Sequence, residues 1–164
     1  MAIYRYKATF PFSKVFFREY EIDGDITLFA LNKFLTDDLS FAPDQMICFK
    51  GLGDDGKVKS IYGLFDMGSG TLDGVSIEKT IARGENAILY VFDIKRNHYI
   101  VLTLVEEVER KPHASYPRLV AERGRAPEQF AASYANMDAL EPAESEDFDE
   151  AEDDAFGDGD EAEE

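Results

Sequence analysis

Between Ala87 and Val105 the chain holds two apolar runs joined by the short polar turn Lys95-Arg96-Asn97. The first run is apolar at consecutive positions up to Asp93, which suits a strand covered on both faces. The second opens at His98 and continues through Tyr99, Ile100, Val101 and Leu102 to Val105. A chain that closes such a hairpin must place it inside a sheet, with further strands beside it and a covering layer above it.

The earlier residues supply those parts. Residues 3–10 alternate, with Tyr4, Tyr6, Ala8 and Phe10 on one face and Ile3, Arg5, Lys7 and Thr9 on the other, which predicts a half-buried strand. Residues 15–22 predict its hairpin partner, and Asp23-Gly24 a turn. Leu28, Leu31, Leu35 and Leu39 recur at helical spacing, so residues 26–39 predict the main helix, with Asp25 or Thr27 as cap. Residues 46–50 and 58–62 predict two short strands, and residues 76–82 a short helix begun by Ser76. Residues 127–134 predict a last helical turn behind a first-turn proline. The expected fold is α+β: a mixed sheet of about five to six strands with one main helix, for which a β-grasp (ubiquitin-like) topology is a natural arrangement.

Charge divides the chain. Of its 34 acidic residues, fifteen lie between Asp138 and Glu164, a stretch with no Lys or Arg. The rest carries 19 acids against 17 bases, so the net charge of −17 belongs almost wholly to the C-terminal segment. A segment of Glu, Asp, Ala and Gly cannot bury enough surface to offset its ordering entropy. The expected division is a globular domain over residues 1–136 and an acidic disordered tail over 137–164.

Compartment follows from what the composition supports. Cys48 stands alone, in an apolar run, and fits a buried thiol in a reducing cytoplasm. The longest uncharged apolar-rich run spans residues 97–105, far short of the roughly twenty residues of a membrane helix. The N-terminus has no basic segment leading into an apolar stretch, as a secretory signal would. A monomer in the cytoplasm, with no membrane partner, is expected.

No motif names a reaction. His98, His113 and Cys48 do not supply the four-ligand spacing of a zinc site. The Gly68-Ser69-Gly70 triplet lacks the Lys-Ser/Thr of a phosphate loop, and the glycines at 51, 53 and 56 precede a strand rather than a helix. No catalytic residue, metal or cofactor is expected. Asp93 and His98 flank the hairpin turn. Residues 110–125 hold five bases, Arg110, Lys111, Arg118, Arg123 and Arg125, against one acid. With Tyr116 these make the candidate binding surface: Asp93, His98, Arg110, Lys111, Tyr116, Arg118, Arg123 and Arg125. Contact with phosphates is conceivable there, but fifteen tethered acids compete for the same bases and disfavour nucleic acid.

Several short motifs carry a resemblance. Phe17-Arg18 stands near the start, Thr27-Leu28 with Leu31-Asn32 in the helix, and Tyr90, Phe92, His98, Ile100 and Leu102 in the hairpin. Tyr116-Pro117-Arg118 and Pro127-Glu128 follow. In this order the chain resembles the plasmid pRiA4b ORF-3-like family over most of residues 3–134. Where that family has Gly-Asp and Trp in the hairpin, this chain has Asp93, Ile94 and Arg96. Asn32 replaces the helix histidine, and Leu119 the cysteine after Tyr-Pro-Arg. The resemblance implies an α+β fold and an occurrence on plasmids and mobile elements. It implies no activity, because the family has no assigned role.

Three functions are then in play. The first is a noncatalytic protein-binding or adaptor module with an acidic tail, which steers basic partners at long range. The second is a nucleic-acid-associated protein of a plasmid or mobile element, acting through residues 110–125. The third is an enzyme with a scattered site around His98.

Overall fold

A computed structural model describes residues 2–135, 137 and 138. Seven strands and two helices follow one another as β1 (Ile3–Phe10), β2 (Ser13–Asp23), α1 (Leu28–Leu39), β3 (Cys48–Leu52), β4 (Val58–Tyr62), α2 (Ile77–Ala82), β5 (Ala87–Asp93), β6 (His98–Val108) and β7 (Arg118–Arg123). The strands form one sheet in the order β4-β3-β5-β6-β1-β2-β7. Every pairing is antiparallel.

The expected α+β mixed sheet with a β-grasp topology is therefore wrong. The order of elements does not reveal which strand pairs with β1, or in which direction. Here the long β6 lies antiparallel to β1, with Tyr6 opposite Leu104 and Ala8 opposite Leu102. Both strands then turn their apolar positions to the same face. The chain leaves β2 and crosses three strands through α1 before reaching β3. The seventh strand arises from the basic segment, where Arg118 pairs with Glu21 and Arg123 with Phe17 at the sheet edge. Charged side chains suit such an edge. No helix forms over residues 127–134, which run as loop and turn. Tyr134 there gives its hydroxyl hydrogen to the Glu128 carbonyl at 2.5 Å, so a side chain supplies the local tie.

The main core lies on the helix face. Leu28, Leu31, Leu35 and Leu39 project from one side of α1 onto Tyr6, Ala8, Ile100 and Leu102. Aromatic rings fill the centre: Phe92 meets Phe10 at 6.0 Å and Phe41 at 4.9 Å, and Phe49 meets Tyr90 at 5.3 Å. Side chains of this size each remove a large apolar area from water and dominate the energetics. Thr27 caps α1 by accepting from the Ala30 amide at 3.1 Å, and Ser76 caps α2 through the Lys79 amide at 3.2 Å. On the opposite face Cys48, Leu89 and Val91 form a smaller apolar cluster beside Tyr99 and Val101. Burial pushes the Cys48 thiol above its ordinary range, which disfavours the reactive thiolate.

Met137 is buried in the main core. Asp138 accepts hydrogen bonds from the Ser13 hydroxyl and, at 2.8 Å, from the Lys14 amide. Packing thus reaches past residue 136, where composition places the boundary. The acidic segment from residue 139 onward lies outside the described residues.

Candidate functional site

The candidate residues from the sequence separate into two groups at opposite ends of the sheet. At one end two guanidinium groups lie over the Tyr116 ring, Arg110 at 4.9 Å and Arg118 at 5.7 Å. The Tyr116 hydroxyl accepts from the Lys111 amide at 2.9 Å. Arg118 binds Glu21 through Nε at 2.9 Å and Nη2 at 2.8 Å. Arg5 reaches Glu21 at 3.6 Å, Glu19 at 3.4 Å, and also Glu106. Of these, Arg5, Glu19, Glu21, Lys111 and Arg118 line an open polar hollow of about 560 Å³ on the face away from α1.

Alternation along β1 and β2 sends Arg5, Glu19 and Glu21 to this face, since Tyr6 and Tyr20 are turned into the core. Glu21 is nearly buried and sits between two arginines. A carboxylate so placed needs both cations, because an uncompensated buried charge is costly. Four bases, Arg5, Arg110, Lys111 and Arg118, gather at this end with three acids, Glu19, Glu21 and Glu106. The carboxylates paired with Arg5 and Arg118 offset much of the positive field that a polyanion groove requires.

At the other end are Asp93, His98, Arg123 and Arg125. Asp93 accepts from the Arg96 amide at 3.2 Å and from Arg96 Nη1 at 3.1 Å. His98 Nδ1 stands 3.7 Å from Asp93 Oδ2, beyond hydrogen-bond reach, and is buried without a hydrogen-bond partner. The rings of Phe12 (5.4 Å) and Tyr134 (4.8 Å) meet the imidazole edge-on. Burial, reinforced by Asp93 and Glu128, pushes the Tyr134 phenol up to about 12, so it stays protonated at neutral pH. Arg123 lies over Phe17 at 5.4 Å and donates to the Val15 carbonyl at 3.2 Å. Arg125 borders a hollow of about 240 Å³ with Tyr134 and Met137. The five bases of residues 110–125 are thus divided by β7 and do not form one patch.

Two further arrangements escaped sequence reasoning. Glu85 is fully buried. It accepts from the Ser60 hydroxyl at 2.5 Å and the Tyr62 hydroxyl at 2.6 Å, while Arg83 Nη1 donates to the same Tyr62 oxygen at 3.0 Å. Burial first, then the hydrogen bond to Glu85, pushes the Tyr62 phenol above its ordinary value. The Arg83-Gly84-Glu85 sequence reads as a plain turn, and only the fold brings Ser60 and Tyr62 to it.

The second is apolar. Phe29, Asn32, Met46, Ile47, Leu64 and Leu72 surround a hollow of about 230 Å³ beside the start of α1. Backbone bonds hold the 63–72 loop against the helix: Leu72 N to Gly63 O and Phe29 N to Leu72 O, both 2.9 Å. Asp66 orders the loop tip by accepting from the Gly68 and Gly70 amides at 2.8 and 3.1 Å. Both glycines have φ above 100°, a conformation closed to ordinary side chains. The tip consequently turns its apolar residues outward: Phe65 is 77% exposed, Met67 59%, Leu64 52%, and Met46 across the hollow 62%. A run such as Leu64-Phe65-Asp66-Met67 carries this signal in the sequence, because its apolar residues fit neither strand nor helix periodicity.

Among the described residues there is no cluster of three or more His, Cys, Asp or Glu placed to hold a metal ion. None of the described helices is long and apolar enough to cross a membrane.

Fold and surface together define a class: a seven-stranded antiparallel sheet with two short helices on one face, an ion-paired region and a small apolar cluster on the other, and an apolar loop at one side. No family model matches the chain, and no curated protein matches it. Among solved structures it is similar to MM3350, a protein of unknown function from Methanosarcina mazei Go1. The two share 17% identity and a TM-score of 0.66 over 77% of this chain and 72% of that one. At this identity the likeness concerns the fold alone.

Proposed function

We propose that this chain is a noncatalytic protein-binding module whose contact surface is the 63–72 loop and the hollow beside it. The observation that carries the reading is the hollow lined by Leu64 and Met46, both more than half exposed, with Phe65 and Met67 exposed on the same loop as Leu64. Contiguous exposed apolar surface of this kind marks association sites. Buried aromatic anchors and adaptable methionines are the side chains that carry interface energy.

The alternatives draw less support. Arg5, Lys111 and Arg118 stand among matching carboxylates, and Arg123 is engaged by Phe17 and Val15, so polyanion binding would have to displace existing partners. His98 is closed in by two rings and has no hydrogen bond to Asp93 that would orient it as a base. Membership of the pRiA4b ORF-3-like family is proposed on the hairpin residues Tyr90, Phe92, Ile100 and Leu102, which share one core. It brings no activity with it.

The test is a photocrosslinking amino acid placed at Phe65, with a control at Lys7 on the exposed side of β1, in the cell that expresses the chain. A discrete protein adduct from position 65 and none from position 7 is expected. Equal labelling from both positions, or adducts with nucleic acid alone, would sink the reading.

A further inference from the structure

We infer that the hollow beside α1 receives an amphipathic segment of a partner protein, with bulky aliphatic side chains flanked by lysines or arginines. This rests on the protein-binding reading above and names the chemistry of what binds.

Size comes first. A hollow of about 230 Å³ falls below the roughly 300–1,000 Å³ of sites that enclose small-molecule ligands. It suits protruding side chains rather than a cofactor. Its walls are apolar at Phe29, Ile47, Leu64 and Leu72, so an aliphatic side chain replaces water there favourably. Met46 borders it with a flexible, polarizable chain that adapts to different shapes.

The floor has one polar group. Asn32 lines the hollow and is nearly buried, and its Oδ1 already accepts from the Tyr90 hydroxyl at 2.9 Å. An Asn side chain carries an amide donor beside that acceptor, the complement of a backbone carbonyl of an incoming segment.

Charge selects the flanks. Asp44 lines the hollow, and Asp66 and Asp73 lie within two residues of Leu64 and Leu72, which also line it. All three carboxylates are on exposed residues. On the same side the Lys33 ammonium is held over the Phe29 ring at 4.9 Å. Asp44 gives the lining a carboxylate, and the chain as a whole carries −17. A basic segment is drawn in by both, while an acidic one is repelled.

The test uses the full chain at 0.15 M salt and three fluorescent synthetic peptides of equal length. One is amphipathic Leu/Lys, one is Leu/Glu, and one is Ser/Lys. Anisotropy should show the Leu/Lys peptide binding about tenfold or more tighter than either other. Leu64→Ser and Met46→Ser alter exposed residues, and circular dichroism confirms that the fold is kept. Each should weaken Leu/Lys binding about fivefold or more and leave Ser/Lys binding unchanged. Asp44→Lys should narrow the gap between the Leu/Lys and Leu/Glu peptides. Leu/Lys binding that ignores Leu64→Ser and Met46→Ser places the contact elsewhere, on the acidic segment for instance, and overturns the inference. Equal affinity for Leu/Glu overturns the charge assignment while crosslinking from position 65 still upholds a protein partner. A crosslinked dimer of this chain would make a second copy the occupant and also overturn the inference.

Discussion

Gly51 lies directly against Glu85: a methyl group built on Gly51 would stand 2.1 Å from Glu85 Oε1. The carboxylate fills the space that any side chain at position 51 would need. It is fixed there by Ser60 and Tyr62, so it cannot swing aside without losing both. Gly51→Ala should destabilise the protein by about 2 kcal/mol, the usual scale for overpacking. A urea midpoint shifted downward at constant slope would show it, and an unchanged midpoint would mean that Glu85 has room to move.

Glu85→Gln tests the same cluster from the other side. It keeps the volume but turns one acceptor into a donor facing a hydroxyl. A loss of about 1–3 kcal/mol is expected, as for a buried polar group left unmatched. Tyr62→Phe should cost a similar amount. The double variant should cost less than the sum, because both changes break one shared bond. Strict additivity would argue against the shared network.

Asp23 predicts a pH effect of unusual sign. Burial raises its carboxyl above the ordinary 3.8; its own backbone amide opposes this, the hydrogen bond and charge of Asp25 add to it, and Arg110 opposes it in turn. A folded-state value above the unfolded one contributes stability at low pH that is lost as pH rises through the folded value. Asp25→Asn removes the repulsion, so it should stabilise the protein at pH 7 and have little effect near pH 3. Chemical denaturation across pH 3–7 measures the difference. A constant gap at all pH values would refute the coupling.

Asp138 carries the opposite sign. Burial alone would raise its carboxyl, but hydrogen bonds from Ser13 and from the Lys14 and Val15 amides outweigh that and hold it below 3.8. Its contribution is present above the unfolded value and lost as pH falls through the folded one. Asp138→Asn should lower stability at pH 7, and the two proteins should converge only once the pH has fallen through the folded value. Amide hydrogen exchange at Lys14 should speed up in the variant. Unchanged exchange would show that the segment does not dock there.

Most elements were legible in the sequence because their periodicity is local. The four leucines of α1 and the alternation at 3–10 name a helix and a strand whatever packs on them. The edge strand β7 was not legible. Arg118-Leu119-Val120-Ala121-Glu122-Arg123 shows two charged ends around a short apolar centre. It becomes a strand because Glu21 and Phe17 of β2 receive Arg118 and Arg123. The helix expected at 127–134 had a proline signal but no apolar stripe long enough to repay nucleation. Of the candidate surface, Arg110, Lys111, Tyr116 and Arg118 do meet, while Asp93, His98, Arg123 and Arg125 lie at the far end. Spacing along the chain cannot foresee a strand inserted between two groups of bases.

What the sequence alone determined was the kind and rough place of most strands and helices, and that charge collects after residue 137, since composition and local periodicity act over a few residues. Tertiary structure decided the direction of pairing, the burial of Glu85 and Glu21, and the gathering of Phe29, Met46 and Leu64 around one hollow. Those depend on contacts between residues far apart in the chain, where the partner, rather than the residue type, sets the energy.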